Sequence, residues 1–452
     1  MSESRNPIPI AVLHDTPQAT EPDQEGDGSA IVYFLAFQMI CQILLLFETF
    51  AVMRGYIRAL VFIPSVILVF SHGGKSTNLA RIPAMFIFII LAFAMFHPDT
   101  EIIPGAAQVA LYISILGPLY WADRIGVTTK SLRNALLLLW IFHSASAAFG
   151  VVQVYFPSWQ PNLSSRITGL GDSYVDSLMI ELVDGTKVFR PMGLTDVPGG
   201  AAMSGFYSVL LGIAFYLRFE KLTGKMIAMV SMVLGMTCIY LSQVRSVLVM
   251  LGVCILTMMA VFAVSKHKRY VVKLVPVVTL IVLVGLGWAV TIAGTTVTDR
   301  LESLSGDSVY YQNRGFFLEN TIKDVIPQYP LGAGLGRWGM MHAYFSEHSE
   351  DGNGSLWAEI QLTGWIYDGG VLLALAYFIA LLVACKMAFN IAMVSRSDDL
   401  HTMAVVIFGC AIGIIADSFS YPVFASQFGF EFWLLNAGLY SASRRPPEPD
   451  LG

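Results

Sequence analysis

The sequence predicts an all-α polytopic membrane protein, and three features carry that prediction. Hydrophobic residues make up 55% of the 452 positions and charged residues only 13%, about half the charged share of a typical soluble globule. Apolar runs of bilayer-crossing length, roughly 17 to 25 residues, recur from about residue 31 to about residue 440. One soluble core has no room for so many. Lysine and arginine gather in alternate connecting loops, the pattern that orients membrane helices.

Reading the apolar runs between charges and Pro/Gly punctuation gives about twelve spans. The first, near 31–52, stops at Arg54, and the second, near 56–71, ends before Lys75. The third, near 79–96, stops at His97 and Pro98; the fourth, near 104–121, lies between Pro104 and Arg124. The fifth, near 132–155, ends at Pro157, and the sixth, near 198–217, runs from Pro198 to Arg218. The seventh, near 226–241, follows Lys225, while the eighth, near 246–265, and the ninth, near 271–293, flank the basic "SKHKR". The tenth, near 365–385, reaches Lys386; the eleventh, near 401–418, and the twelfth, near 422–440, are parted by Pro422.

One set of loops holds about sixteen Lys and Arg residues, from Lys75 and Arg81 to Arg444 and Arg445. The short loops of the other set hold about three: Arg54, Arg58 and Arg245. Cytoplasmic loops are the basic ones, so both termini are expected in the cytoplasm. Residues 1–30, rich in Glu, Asp, Gln, Pro and Gly, lack the basic start and apolar core of a signal peptide and read as a disordered cytoplasmic tail. Residues 441–452 form a second tail. Two exported loops are long, about 156–197 and about 294–364, and their aromatic and charged content is unlike that of a linker. The larger is expected to be partly helical: "NRGFFLENTIKDVI" (313–326) places Phe317, Ile322, Val325 and Ile326 at helical spacing. Such a helix either lies on the membrane surface or packs on the bundle.

Several function classes find no support. The five cysteines sit inside apolar runs without metal-ligand spacing and read as packing residues, so no metal site is expected. Ser/His/Asp, H-E-x-x-H and P-loop patterns are absent, and no basic tract interleaved with aromatics suggests nucleic acid. "GLGRWG" (334–339) matches G-x-G-x-x-G in form only, because the turn-rich "IPQYPLGAG" precedes it where a strand is required. Loop flexibility is the simpler account of these glycines; a turn bringing backbone amides or Arg337 to a phosphate is the other.

Four arginines fall on the exported side: Arg190 in "FRPMGLTD", Arg245 in "LSQVRSVL", Arg314 in "QNRGFF" and Arg337 in "GLGRWG". A guanidinium is a permanently charged, planar donor fork that suits phosphate and pyrophosphate. Any one of them is equally explained by a loop carboxylate or by snorkelling; four together argue for an anionic ligand. Arg245 stands apart, since no acidic residue occurs within about fifteen positions, and an arginine near membrane depth costs roughly 2.5 to 3.5 kcal/mol on insertion scales. His342 and His348 stand beside an acidic stretch with Glu347, Glu350, Asp351 and Glu359. A neutral imidazole there would accept a proton from an attacking hydroxyl; a solvated loop histidine is the plainer alternative. Glu48, His143, Asp417 and Glu431 lie within or near spans, where they mark an ion path or hydrogen-bond between helices.

The layout of spans and loops, with "LSQVRSVLVMLG" after the seventh span and "NRGFFLENTIKDVIPQYPLGAGLGRW" opening the large loop, resembles the O-antigen ligase and polysaccharide polymerase family. There a "sSR(G)xxL" stretch begins a membrane helix and "RxxxwxxAlxxixxxPlxGxGxgxf" opens the large periplasmic loop; "RPMGLTDVPGGAA" is similar to the family's "RxxGxxxnPNxla". The resemblance implies a bacterial inner-membrane, metal-independent, inverting glycosyltransferase without a cofactor. Its donor would be a polyprenyl diphosphate-linked glycan and its acceptor a glycan or lipid A core, at the periplasmic face. Arg245 and Arg314 would bind the donor diphosphate, and a large-loop histidine would be the acceptor base. Where the family shows "HNxyLxxxxexG", this chain has Gly352 before Asn353, which leaves His348, His342 and Glu359 as candidate bases. The alternative is a secondary transporter or flippase built on Glu48, Asp417 and Glu431, against which the Gly/Pro breaks do not fall in paired positions of two halves.

Overall fold

The computed structural model describes residues 28–72, 77–162, 171–265, 267–302, 315–346, 356–395 and 397–445. The helices, in chain order, are α1 (Ala30–Leu44), α2 (Glu48–His72), α3 (Arg81–Ala94), α4 (Ile102–Leu116) and α5 (Thr129–Tyr155). A hairpin of β1 (Met179–Glu181) and β2 (Lys187–Phe189) precedes α6 (Ala201–Arg218), α7 (Leu222–Ser242), α8 (Arg245–Val264) and α9 (Arg269–Ala293). After them come α10 (Thr295–Glu302), α11 (Gly315–Asn320, prolonged by Thr321–Val325 and Ile326–Gln328), α12 (Gly339–Phe345), α13 (Gln361–Val394), α14 (Asp398–Asp417) and α15 (Gln427–Arg444). Among the described residues, α2, α5 to α9, α13 and α14 are the eight helices long and apolar enough to cross a membrane. Helices α1, α3 and α4 are apolar but shorter. All but a few residues of the two expected tails lie outside the described residues.

Local chemistry moves several boundaries. The first helix stops at Leu44 because Phe47 is extended (φ −83°, ψ 127°), and Glu48–Met53 forms a 3-10 turn leading into α2. Thr128 and Ser131 form a reciprocal capping box that starts α5. The last helix begins at Gln427, later than the apolar run suggests, because Val423–Ala425 is a 3-10 turn and the Ser426 hydroxyl caps the Phe428 amide. The smaller loop contains a hairpin that the all-helical expectation left out; it pairs Ile180 with Val188 and buries both. In α11, Thr321 and Val325 are buried while Phe316 and Ile322 are exposed, so one side of the expected amphipathic helix packs on the bundle.

The core is knitted by small residues. A Cβ on Gly205 of α6 would lie 2.5 Å from the Gly235 carbonyl oxygen of α7, and one on Gly235 would lie 2.8 Å from that of Gly205. Helices in lipid gain little from hydrophobic burial against each other and associate through such close backbones. Gly205→Leu is therefore expected to destabilise the detergent-solubilised protein by at least about 1–3 kcal/mol, the usual cost of overpacking. Gly252→Ala, where an added Cβ meets nothing within 4 Å, should leave the thermal unfolding midpoint unchanged or slightly raised.

Gly332, Gly334 and Gly336 of "PLGAGLGRWG" are fixed by packing, which overturns flexibility as their explanation. Pro330 to Gly334 wedges into a break in α13 at Gly369 and Gly370, where Val371 N–H donates to the Pro330 carbonyl at 3.0 Å and Ala333 N–H to that of Tyr367 at 2.8 Å. Gly370 has φ +68°, and a Cβ there would collide with the Pro330 carbonyl; Gly336 (φ +72°) is pressed in the same way against Pro104. Only glycine serves at both places.

Polar contacts between connecting segments sort into two groups. In one, Arg58 bridges Asp196 at 2.7 Å and donates to the Tyr344 hydroxyl at 2.9 Å, while Ser346 donates to Glu101 at 2.9 Å. These join the first half of α2 and the short loop after α3 to both long loops. In the other, Asp399 pairs with Arg133 and Arg218, and Asp398 with His267 and Arg269. This second group gathers the basic connections.

Candidate functional site

Arg190 is placed by the hairpin. Its backbone N–H donates to Leu178 at 3.0 Å beyond the last strand pair, and the chain then turns through "PMGLTDVPGG" into α6. That turn is clamped to α5: the amides of Met192 and Gly193 both donate to the fully buried Gln153 Oε1, at 3.0 and 2.8 Å. Leu194 N–H donates to Ser146 Oγ at 3.0 Å. The segment that carries Arg190 is therefore held on a transmembrane-length helix, where a catalytic or binding group gains precision.

Arg245 is placed by a break. Helix α7 ends at Gln243 (φ 53°, ψ 28°), the one non-glycine residue with positive φ among the described residues, and Val244 is extended. Arg245 then opens α8. The apolar stretch around it is two helices meeting at a tight turn, and the guanidinium emerges at their junction instead of inside a span.

Arg300, which the sequence did not single out, completes the group. It sits on the short α10 and, with Tyr240, Gln243, Arg245, Val297 and Leu301, lines a narrow crevice of about 20 Å³. Burial, and then the charges of Arg300 and Arg245, push the Arg190 guanidinium down to about 10. It remains fully cationic at neutral pH, so three positive charges from three distant segments share one site. Two buried donors there, Arg190 Nε and Gln243 Nε2, meet no acceptor among the described residues. Buried donors without partners are rare in folded proteins. A site rich in donors and positive charge is chemically suited to an anionic, oxygen-rich group.

The left-handed Gln243 is itself a test. A non-glycine residue in that conformation costs roughly 1–2 kcal/mol, and its buried amide adds to the cost. Gln243→Gly is expected to raise the stability of the purified protein by about 1 kcal/mol, read as a higher thermal unfolding midpoint in detergent.

The remaining candidates lie elsewhere or outside the described residues. Arg337 is bound to Asp99 at 3.0 Å and to the Ala333 carbonyl at 2.9 Å, so it secures the glycine turn. His342 is buried on α12, and its Nε2 has no hydrogen-bond partner among the described residues. Glu359 accepts from Trp357 Nε1 at 3.0 Å. Arg314, His348, Glu347, Glu350 and Asp351 lie outside the described residues. Of the acids of the transporter alternative, Glu48 is exposed at the start of α2, Asp417 is buried at the end of α14, and Glu431 is fully buried on α15, accepting from Gln427 at 3.0 Å.

A second residue that sequence reading passed over is Asp368, buried at the break in α13. It accepts from Tyr112 at 2.7 Å, Gln108 at 2.8 Å and Trp338 at 2.9 Å, so one carboxylate ties the glycine turn to α4 and α13. All five cysteines are free and buried, and among the described residues no three His, Cys, Asp or Glu side chains gather as a metal site requires. No protein-family model matches the chain, and no curated protein matches it.

Proposed function

We propose that the protein is a membrane glycosyltransferase of the O-antigen ligase or polysaccharide polymerase type. It would act on a polyprenyl diphosphate-linked glycan at the periplasmic face of a bacterial inner membrane. The observation that carries this reading is the convergence of Arg190, Arg245 and Arg300 at one place, beside two buried donors, Arg190 Nε and Gln243 Nε2, that meet no acceptor among the described residues. The crevice has room for little more than one water-sized group, so a diphosphate would meet the guanidiniums at its mouth.

In this reading all twelve apolar helices span, with α1, α3, α4 and α15 joining the eight longer ones, and both termini are cytoplasmic. The segregation of basic connections to one group of contacts and of the long loops to the other supports it. The chemistry is a displacement. An acceptor hydroxyl attacks the anomeric carbon of the donor's first sugar, the bond from that carbon to the diphosphate breaks, and the hydroxyl proton passes to a base. The base is His348, His342 or Glu359. Positive charge already in place stabilises the diphosphate as it leaves, so the reaction proceeds without a metal.

Deleting the gene tests the reading: surface polysaccharide should be lost or shortened and its lipid-linked precursor should accumulate. A deletion strain with unchanged glycans and a defect in solute movement instead would overturn it in favour of a transporter.

A further inference from the structure

At the opposite, basic group of connections, α5, α6 and α14 leave a cavity of about 280 Å³ between their ends. Its rim is charged. Asp399 pairs with both Arg133 (3.3 Å) and Arg218, whose side chains stay 49% and 35% exposed. Two guanidinium forks carry ten N–H groups, far more than one carboxylate satisfies, so donors remain directed outward over a rim with one net positive charge.

Below the rim the walls are apolar: Leu136, Leu137, Leu211, Ala214 and Phe215. From Arg218 to Leu211 the wall descends about 10 Å at 1.5 Å per residue. Trp140 packs on Phe215 and Phe219 at ring-centroid distances of 5.0 and 6.1 Å, which gives that side of the cavity an aromatic backing. Lys130, Lys221 and Lys225 belong to the same connections, against the acids Glu220 and Asp398, and leave the field there positive.

A charged rim over an apolar shaft, at the ends of membrane-length helices, is complementary to a diacyl lipid with an anionic headgroup. The phosphate meets the guanidiniums and the upper part of one acyl chain fills the shaft. A free anion would leave the shaft empty, and a zwitterionic headgroup would bring its own ammonium toward the arginines. We propose that this cavity binds one anionic phospholipid and that the lipid joins α5, α6 and α14. The proposal requires these three helices to be membrane spans and is independent of any transfer chemistry at the arginine cluster.

The test is native mass spectrometry of the delipidated full-length protein, titrated with phosphatidylglycerol or with phosphatidylcholine of the same chains. Phosphatidylglycerol should be retained about fivefold better, the preference one net basic charge supplies, and inorganic phosphate should not displace it. Arg133→Gln/Arg218→Gln should abolish the preference, and Leu137→Trp, which fills the shaft, should weaken retention of the lipid. Because a variant can misfold, the unaltered protein gives a second readout. Phosphatidylglycerol brominated on its chains should quench a tryptophan signal that Trp140→Phe removes. Equal retention of the two lipids, retention unchanged in the double variant, or quenching indifferent to Trp140 would each overturn the proposal.

Discussion

Arg245→Ala is expected to lower transfer of lipid-linked glycan about 100- to 1,000-fold, the loss seen when one preorganised group is removed from a developing negative charge. Arg300→Ala should fall in the same range, because Arg300 lines the same crevice and its charge acts on the same neighbour, Arg190. Arg245→Lys should recover part of the rate, since an ammonium keeps the charge but loses the planar fork. Arg337→Ala provides the contrast: its guanidinium is held by Asp99 and Ala333, so its effect should track loosening of the glycine turn and appear as a lower unfolding midpoint. The measurement is transfer from lipid-linked donor in washed membranes, with each variant's amount and unfolding midpoint checked. Wild-type rates in both Arg245→Ala and Arg300→Ala would sink the diphosphate assignment.

Arg245 and Arg300 show why part of this site can be read along the chain and part cannot. A lone charge between two apolar runs is a local anomaly, and Arg245 announces a helix junction by itself. Arg300 sits in "TDRLE", where acids on both sides make it look like an ordinary solvated helical turn. It matters only because α10 folds back onto the junction of α7 and α8, a long-range fact with no local sign. Gln243 is similar, since glutamine is a good helix former and nothing in it foretells a left-handed conformation. The hairpin did have a sign, Asp184–Gly185 between two short alternating runs. Surrounding loop composition obscured it. Asp368 was visible as an acid in an apolar helix before two glycines, yet its meaning comes from Gln108, Tyr112 and Trp338, which are brought to it from two other segments. The eight helices of membrane-crossing length were legible because bilayer length and hydrophobicity are properties of contiguous sequence. Sites assembled across loops are not.

The arginine cluster should also carry a stability cost that its ligand removes. Folding lowers the Arg190 guanidinium from its ordinary value to about 10, so the charged form is less favoured folded than unfolded. The sign follows directly: the penalty is complete at every pH below about 10 and vanishes only above the guanidinium's ordinary value. Across pH 5 to 9 it is therefore constant, and it is exposed by substitution and not by titration. Arg190→Met keeps the aliphatic stem that packs near Gly199 and removes the charge; it should raise the stability of the isolated protein by about 1–2 kcal/mol after allowance for solvent screening. Pyrophosphate should raise the unfolding midpoint of the wild type, because a ligand bound only by the folded state stabilises it by mass action, and should do so much less in the variant. A merely structural arginine predicts the reverse pair of results, with Arg190→Met less stable and its response to pyrophosphate unchanged. Gain of stability together with loss of anion response is the signature of a group held in place for its ligand.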